Sequence, residues 1–133
     1  MNPVAIKKRF CILIAIIVMC VVITPETAQA DWHKTFAGNG IAQGLSIQQT
    51  GDGGFIMAGH TAVNAASNTD VLLVKTDSAG NQAWSRTFGG SGIDMAHCVR
   101  PTADGGYIIA GVTQPSGHID FDVYLIKTDA AGN

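Results

Sequence analysis

Residues 52–61 read Asp-Gly-Gly-Phe-Ile-Met-Ala-Gly-His-Thr, and residues 104–113 read Asp-Gly-Gly-Tyr-Ile-Ile-Ala-Gly-Val-Thr. The match extends outward over Trp32–Asn81 and Trp84–Asn133, which lie 52 residues apart, align without a gap and share 23 identities in 50 positions. A repeat of this length is typical of propeller and solenoid proteins. The duplicated stretch therefore decides the fold class before any single residue is considered.

Each copy is predicted to contain short β-strands between glycine-rich turns. The predicted strands of the first set of four are Leu45–Thr50, Phe55–Thr61, Asp70–Asp77 and Gln82–Phe88, the last of which runs into the second copy. Those of the second copy are Ala96–Thr102, Tyr107–Thr113 and Asp122–Thr128. Four antiparallel strands of this size make one propeller blade. We therefore predict an all-β fold of two β-propeller repeats, with two four-stranded antiparallel blades, the second lacking its last strand.

The segment Trp32–Phe36 matches the fourth strand of a blade and has no three strands before it. A propeller ring takes typically about four to eight blades, so two blades leave it incomplete. We expect the missing blades to come either from a longer array in cis or from identical chains in trans.

The identities between the copies fall on turn and packing positions. These structural repeat positions are Trp32 and Trp84, Asp52 and Asp104, Gly59 and Gly111, Asp77 and Asp129, and Gly80 and Gly132. Asp-Gly-Gly turns supply positive φ at no steric cost, and a glycine in mid-strand suits close approach of another backbone. The repeat is therefore more informative about architecture than about activity.

Residues 1–30 have the pattern of a signal peptide. Lys7, Lys8 and Arg9 precede the 15-residue, largely apolar stretch Phe10–Thr24, and a small-residue cleavage site ends at Ala30. A membrane anchor is the alternative, but a spanning helix needs roughly 20 apolar residues. We expect cleavage after Ala30 and an exported chain that is extracellular, on the cell surface or periplasmic, with no membrane attachment once the signal is cleaved.

The charge of residues 31–133 argues against nucleic acid as a partner. Without the first thirty residues, the 8 basic and 10 acidic side chains become 5 and 9, a net charge of −4. Nucleic-acid binding depends on clustered Lys and Arg, which this region lacks. Its single cysteine, Cys98, excludes an internal disulfide there and is interpreted as a small buried apolar residue.

No residue is predicted to be catalytic, to bind a cofactor or to bind a metal. Asp52, Asp77, Asp104 and Asp129 are interpreted as turn-capping residues. Calcium is the alternative, with Asp70 beside Asp77, or Asp120 and Asp122 beside Asp129, as ligands. His97 and Cys98 are adjacent on a predicted strand and should face opposite ways, which argues against a nucleophile–base pair. Trp32 and Trp84 are expected to pack between strands, with sugar stacking as the alternative.

The residues Trp84–Gly90, Asp104–Thr113 and Asp122–Asn133 make the chain similar to a widespread repeat of large exported bacterial and archaeal proteins. That repeat has the form Trp-x-Lys-Thr-Phe-Gly-Gly, Asp-Gly-Gly-Tyr-Ile-Ile-Ala-Gly-x-Thr and Asp-x-x-Leu-x-Lys-Thr-Asp-x-x-Gly-Asn. The resemblance implies a β-propeller on or outside the cell surface. More distantly, Asp77-x-x-Gly80-x-x-x-Trp84 resembles the tryptophan-docking turn of quinoprotein propellers.

Three functions follow as hypotheses. The first is a non-catalytic exported propeller segment, a structural or adhesive element or an interaction scaffold, that forms part of a longer repeat array. The second is a small lectin-like module in which three chains close a six-bladed ring and bind a surface glycan near Ala62–Thr69 and Gln114–Phe121. The third, a quinoprotein-type oxidoreductase, depends only on the tryptophan-turn resemblance.

Overall fold

A computed structural model describes residues 31–36, 40–62, 68–115 and 117–133, and these residues form strands and turns without a helix. The predicted signal peptide, and residues 63–67 of the segment Ala62–Thr69, lie outside the described residues. The strands are β1 Ile41–Gln49, β2 Phe55–Ala62, β3 Thr69–Thr76, β4 Gln82–Phe88, β5 Gly92–Pro101, β6 Tyr107–Pro115 and β7 Asp122–Thr128. The predicted all-β class is confirmed.

The strands form two antiparallel meanders. Strands β1 to β4 pair in chain order as the first meander, and β5 to β7 pair in chain order as the second. One parallel bridge, Thr69 with Ile93, joins β3 to β5. Within the described ranges the sheet does not close on itself. The two meanders are therefore the units that must be packed together to form a core.

Strands β1 and β5 begin earlier than predicted because each contains a β-bulge. The register shifts between Gly44 and Ser46 in β1, and between Ala96 and Cys98 in β5. A bulge adds one unpaired residue and so interrupts the alternation of apolar and polar side chains. The alternation in sequence consequently predicted only the part of each strand from the bulge onward. Leu45 and His97, the extra residues, stand at the same position of the repeat.

Each bulge brings a backbone carbonyl close to a mid-strand glycine. A Cβ atom on Gly59 would lie 1.8 Å from the Gln43 carbonyl oxygen, and one on Gly111 would lie 2.0 Å from that of Met95. Real Cβ atoms do not approach this closely, so only glycine fits opposite the bulge. The expected close approach of backbones is present, and the bulge is its cause.

The core forms where one face of the first meander meets the opposite face of the second. Because side chains alternate along a strand, each meander has two faces. Face A of the first meander carries Ile56, Ala58, Val71 and Leu73, whose repeat counterparts on face A of the second are Ile108, Ala110, Val123 and Leu125. Face B carries Met57 and Leu72 in the first meander, and Ala96, Val99, Tyr107 and Ile109 in the second. Face A of the first meander and face B of the second together supply the buried cluster.

The segment Trp32–Phe36, predicted as a strand, is extended but pairs with none in the structure. Its repeat counterpart, β4, pairs with the outer edge of β3. Trp32 instead lies against Phe55 and Gly80 of the first meander, and Lys34 Nζ donates a hydrogen bond to Asn81 Oδ1 at 3.3 Å. A strand needs backbone hydrogen bonds to a neighbouring strand, and no strand in the described ranges pairs with this segment.

Candidate functional site

The Asp52 and Asp104 carboxylates each hold a turn together through the same three partners. Asp52 accepts hydrogen bonds from the Thr50 hydroxyl, the Gly54 backbone N–H and Lys75 Nζ, the last at 2.8 Å. Asp104 repeats this with Thr102, Gly106 and Lys127. The hydrogen bond from Lys75, followed by that from Thr50, lowers the pKa of Asp52 far below its ordinary value. Gly53 takes φ of +81° in the same turn, as predicted for this cluster.

Asp77 and Asp129 cap the second type of turn. Asp77 accepts bonds from the backbone N–H groups of Ala79 and Asn81, at 2.9 and 2.8 Å, and from Asn81 Nδ2 at 2.9 Å. Asp129 makes the same contacts with Ala131 and Asn133. The Asn81 side chain, followed by its backbone N–H, lowers the pKa of Asp77. The carboxylate oxygens of both residues therefore accept hydrogen bonds from the turn that follows each residue.

The two tryptophans have the same surroundings, 52 residues apart. Trp84 meets the edge of Tyr107 with ring centroids 5.9 Å apart at 60°, and Trp32 meets Phe55 at 6.0 Å and 61°. A Cβ atom on Gly80 would lie 2.5 Å from the Trp32 ring, and one on Gly132 would lie 2.8 Å from the Trp84 ring. Both glycines also have positive φ. Each indole thus covers a turn glycine and packs against the next aromatic ring.

A cleft of about 480 Å³ lies where the turns of the two meanders meet. Asp52, Lys75, Trp84 and Tyr107 contribute to its walls. The Lys75 side chain is 8% exposed and bonded to Asp52, whereas the Asp52 side chain is 63% exposed. Burial, together with the Asp52 charge, raises the pKa of Tyr107. The cleft lies at the turn end of the strands, opposite the variable segments at which a sugar site was predicted.

His97 and Cys98 lie in the β5 bulge, which sequence reasoning did not foresee. His97 is the exposed extra residue, while Cys98 is half-buried and pairs with Ala110. Among the residues that the structure describes, no group of three or more His, Cys, Asp or Glu side chains is placed to hold a metal ion. The bulge, rather than simple alternation, sets the direction of these two side chains.

Two apolar faces are open, as expected for two blades outside a closed ring, but the sequence alone did not identify the residues that form them. On face A of the second meander, Val123 is 84% exposed and Leu125 is 64% exposed. On face B of the first meander, Ile47 is 55% exposed, and a cavity of about 200 Å³ is lined by Phe36, Met57, Gly59, Leu72 and Val74. The residue types resemble those of the buried cluster, so composition gives no sign of their exposure. These apolar side chains are identified as the counterparts, 52 residues away, of residues in or packed against the buried cluster.

No protein-family model matches the chain, and no curated protein matches it significantly. None of the described segments is a helix long and apolar enough to cross a membrane.

Proposed function

We propose that the chain is a non-catalytic, exported β-propeller segment that acts as a structural or adhesive scaffold. The observation that carries the proposal is the packing of one meander on the next, face A against face B. A four-stranded antiparallel meander with this packing has the form of a propeller blade. Because the contact joins two different faces, another blade can be added at either side in the same way. The repeated turns and the repeated tryptophan contacts support the same interpretation.

The hydrogen bonds of the repeated polar side chains support a scaffold rather than an enzyme, because these bonds lie within the turns. The four repeated carboxylates each cap a turn, and Lys75 is bound both to Asp52 and to the Thr76 carbonyl oxygen. Perturbed pKa values often mark catalytic sites, but structural hydrogen-bond networks perturb them too. Here the lowered pKa values of Asp52 and Asp77 arise from hydrogen bonds within the turns. These groups are therefore assigned to folding.

Recognition of a surface glycan is the second candidate, and one observation favours it. The variable segment before β7 exposes two large apolar side chains, Ile119 at 89% and Phe121 at 50%. An exposed aromatic ring beside polar groups is a surface on which a sugar ring can stack. Asp120 and Asp122 flank Phe121 and provide hydrogen-bond acceptors. A glycan array probed with the chain and with Phe121→Ala tests this candidate, which requires binding that the substitution abolishes.

The scaffold proposal is tested by expressing the full chain in a bacterial host and following export, processing and turnover. We expect an exported product whose intact mass begins at Asp31, with a β-type circular dichroism spectrum and cooperative unfolding. The same product should show no turnover with hydrolase substrates or with dye-linked quinone oxidoreductase assays. Retention in the cytoplasm, or a turnover that survives purification to homogeneity, would overturn the proposal.

A further inference from the structure

The two open apolar faces correspond, position by position, to the two faces that are buried against each other. Val71 and Leu73 are fully buried on face A of the first meander, and their counterparts Val123 and Leu125 are open on the second. Val99 is fully buried on face B of the second meander, and its counterpart Ile47 is open on the first. The chain thus contains one completed contact of face A with face B and the two separate halves of another.

We propose that a second copy of this chain covers these faces, docking face B of its first meander on face A of the second meander of its neighbour. This proposal rests on the proposed propeller function and identifies the partner of the segment as another copy of the same chain. Exposed apolar patches mark interaction surfaces, and here the completed contact inside the chain shows what fits them. The surface that fits an open face A is a face B of the same repeat, and the chain carries that face open on the first meander.

The segment Trp32–Phe36 already occupies the place of a fourth strand on face B of the first meander. Trp32 is related to Phe55 and Gly80 as Trp84, in β4, is related to Tyr107 and Gly132. When the copies dock, this segment lies beside the outer edge of β7 in the neighbouring copy. No strand in the described ranges pairs with that edge. An unpaired edge is a template for one more strand.

The register of the added strand follows from the pairing of β3 with β4. In that pairing Val71 lies opposite Phe88, and Leu73 lies opposite Arg86. Shifted by one repeat, Val123 of one copy lies opposite Phe36 of the next, and Leu125 lies opposite Lys34. The structure has room for this strand, since the Lys127 side chain is 44% exposed whereas its counterpart Lys75, beside β4, is 8% exposed.

The contact joins unlike faces, so association is head-to-tail. Such contacts either close into a ring or continue as an open chain, depending on the rotation between copies. A self-complementary dimer would instead join face A to face A. The two kinds of contact respond differently to substitutions on one face. The masses of such variants therefore reveal how the copies are oriented as well as how many associate.

The test blocks each open face separately in the full chain. Val123→Glu places a charge on open face A, opposite Phe36 of the neighbouring copy, and Ile47→Glu places one on open face B. Both positions are exposed, so each variant should keep its circular dichroism and cooperative unfolding. Ile119→Glu, at an exposed apolar residue outside both faces, is the matched control. Masses are measured by light scattering after size exclusion.

We expect the unsubstituted chain and Ile119→Glu to form the same oligomer, and each face variant alone to be a monomer. An equimolar mixture of Val123→Glu and Ile47→Glu should form a dimer of one chain of each, because each variant retains the face that the other has lost. An Ile47→Glu chain that stays dimeric would overturn the head-to-tail contact in favour of face A on face A.

A folded, exported and unsubstituted chain that stays monomeric at its highest soluble concentration would also overturn the inference, and would assign the open faces to further repeats in cis. That result leaves the proposed scaffold function standing. Failure of export or of cooperative folding is the result that contradicts the proposed function itself.

Discussion

Leu73 and Leu125 stand at the same position of the repeat, yet Leu73 is completely buried and Leu125 is 64% exposed. Both lie on face A of their meanders, and on that face each stands between a valine and a lysine, Val71 and Lys75 or Val123 and Lys127. The difference arises because Leu73 faces Val99, Tyr107 and Ile109 of the second meander, whereas no described residue covers Leu125 in the same way. The difference in exposure between the two leucines therefore shows how much of face A the second meander covers on the first.

Truncation of these two leucines to alanine compares the stability effect of a buried and an exposed side chain at the same position of the repeat. Leu73→Ala should lower the free energy of unfolding by about 2–5 kcal/mol, because it removes buried methyl groups and leaves a cavity. Leu125→Ala in dilute solution should change it by roughly 0.5 kcal/mol or less, as for other surface positions. Urea denaturation followed by circular dichroism gives both values. Equal losses would show that face A of the second meander is also buried in the dilute chain.

The glycine opposite the bulge in β1 should tolerate no side chain. Gly59→Ala puts a Cβ atom 1.8 Å from the Gln43 carbonyl oxygen, so the strand must shift, at an expected cost of about 1–3 kcal/mol for overpacking. Gly44→Ala is the control, since a Cβ atom there meets nothing within 4 Å. Thermal unfolding of the two variants checks the difference. Unfolding of the Gly44 variant at the lower temperature would contradict this account of the bulge.

The turn-capping role of Asp77 predicts how stability responds to acid. Its pKa is lowered in the folded chain by hydrogen bonds from Asn81, so its stabilising contribution is present above the unfolded-state pKa, roughly 3.9, and is lost as pH falls through the lower folded-state value. Urea midpoints should thus fall with pH below about 4, and Asp77→Asn should make that fall shallower. Asp31→Asn, outside any turn, is the control that should leave the slope unchanged.

The two lysine–aspartate pairs should contribute differently to the free energy of unfolding, although the same groups form both pairs. Lys75→Met removes the ammonium group from a position where the side chain is 8% exposed and leaves the Thr76 carbonyl oxygen without that donor. We expect a loss of about 1–3 kcal/mol at this buried position. Lys127→Met, at a side chain 44% exposed, should cost less than about 1 kcal/mol, as for exposed ion pairs. Chemical denaturation of both variants tests the order, and the reverse order would contradict it.

Local signals predicted much of the secondary structure. Gln82–Phe88 and Asp122–Thr128 are strands with the predicted bounds, and Gly53 takes the positive φ that its turn requires. These features depend on residues within a few positions of one another. The bulges in β1 and β5 were missed because the extra residue is recognised only against the neighbouring strand. The strand predicted over Trp32–Phe36 was wrong for the same reason, since strand pairing needs a partner edge.

Local chemistry repeated at a constant offset is enough to predict the duplication, the all-β class, the turns and the packing residues. Which copy of each apolar residue is buried depends instead on tertiary packing. Val71 and Val123 are identical in type and position, and only the meander that lies against face A makes one of them core and leaves the other 84% exposed. Burial depends on the residues that surround a side chain in the folded structure. Two identical residues at the same position of a repeat can therefore differ in burial.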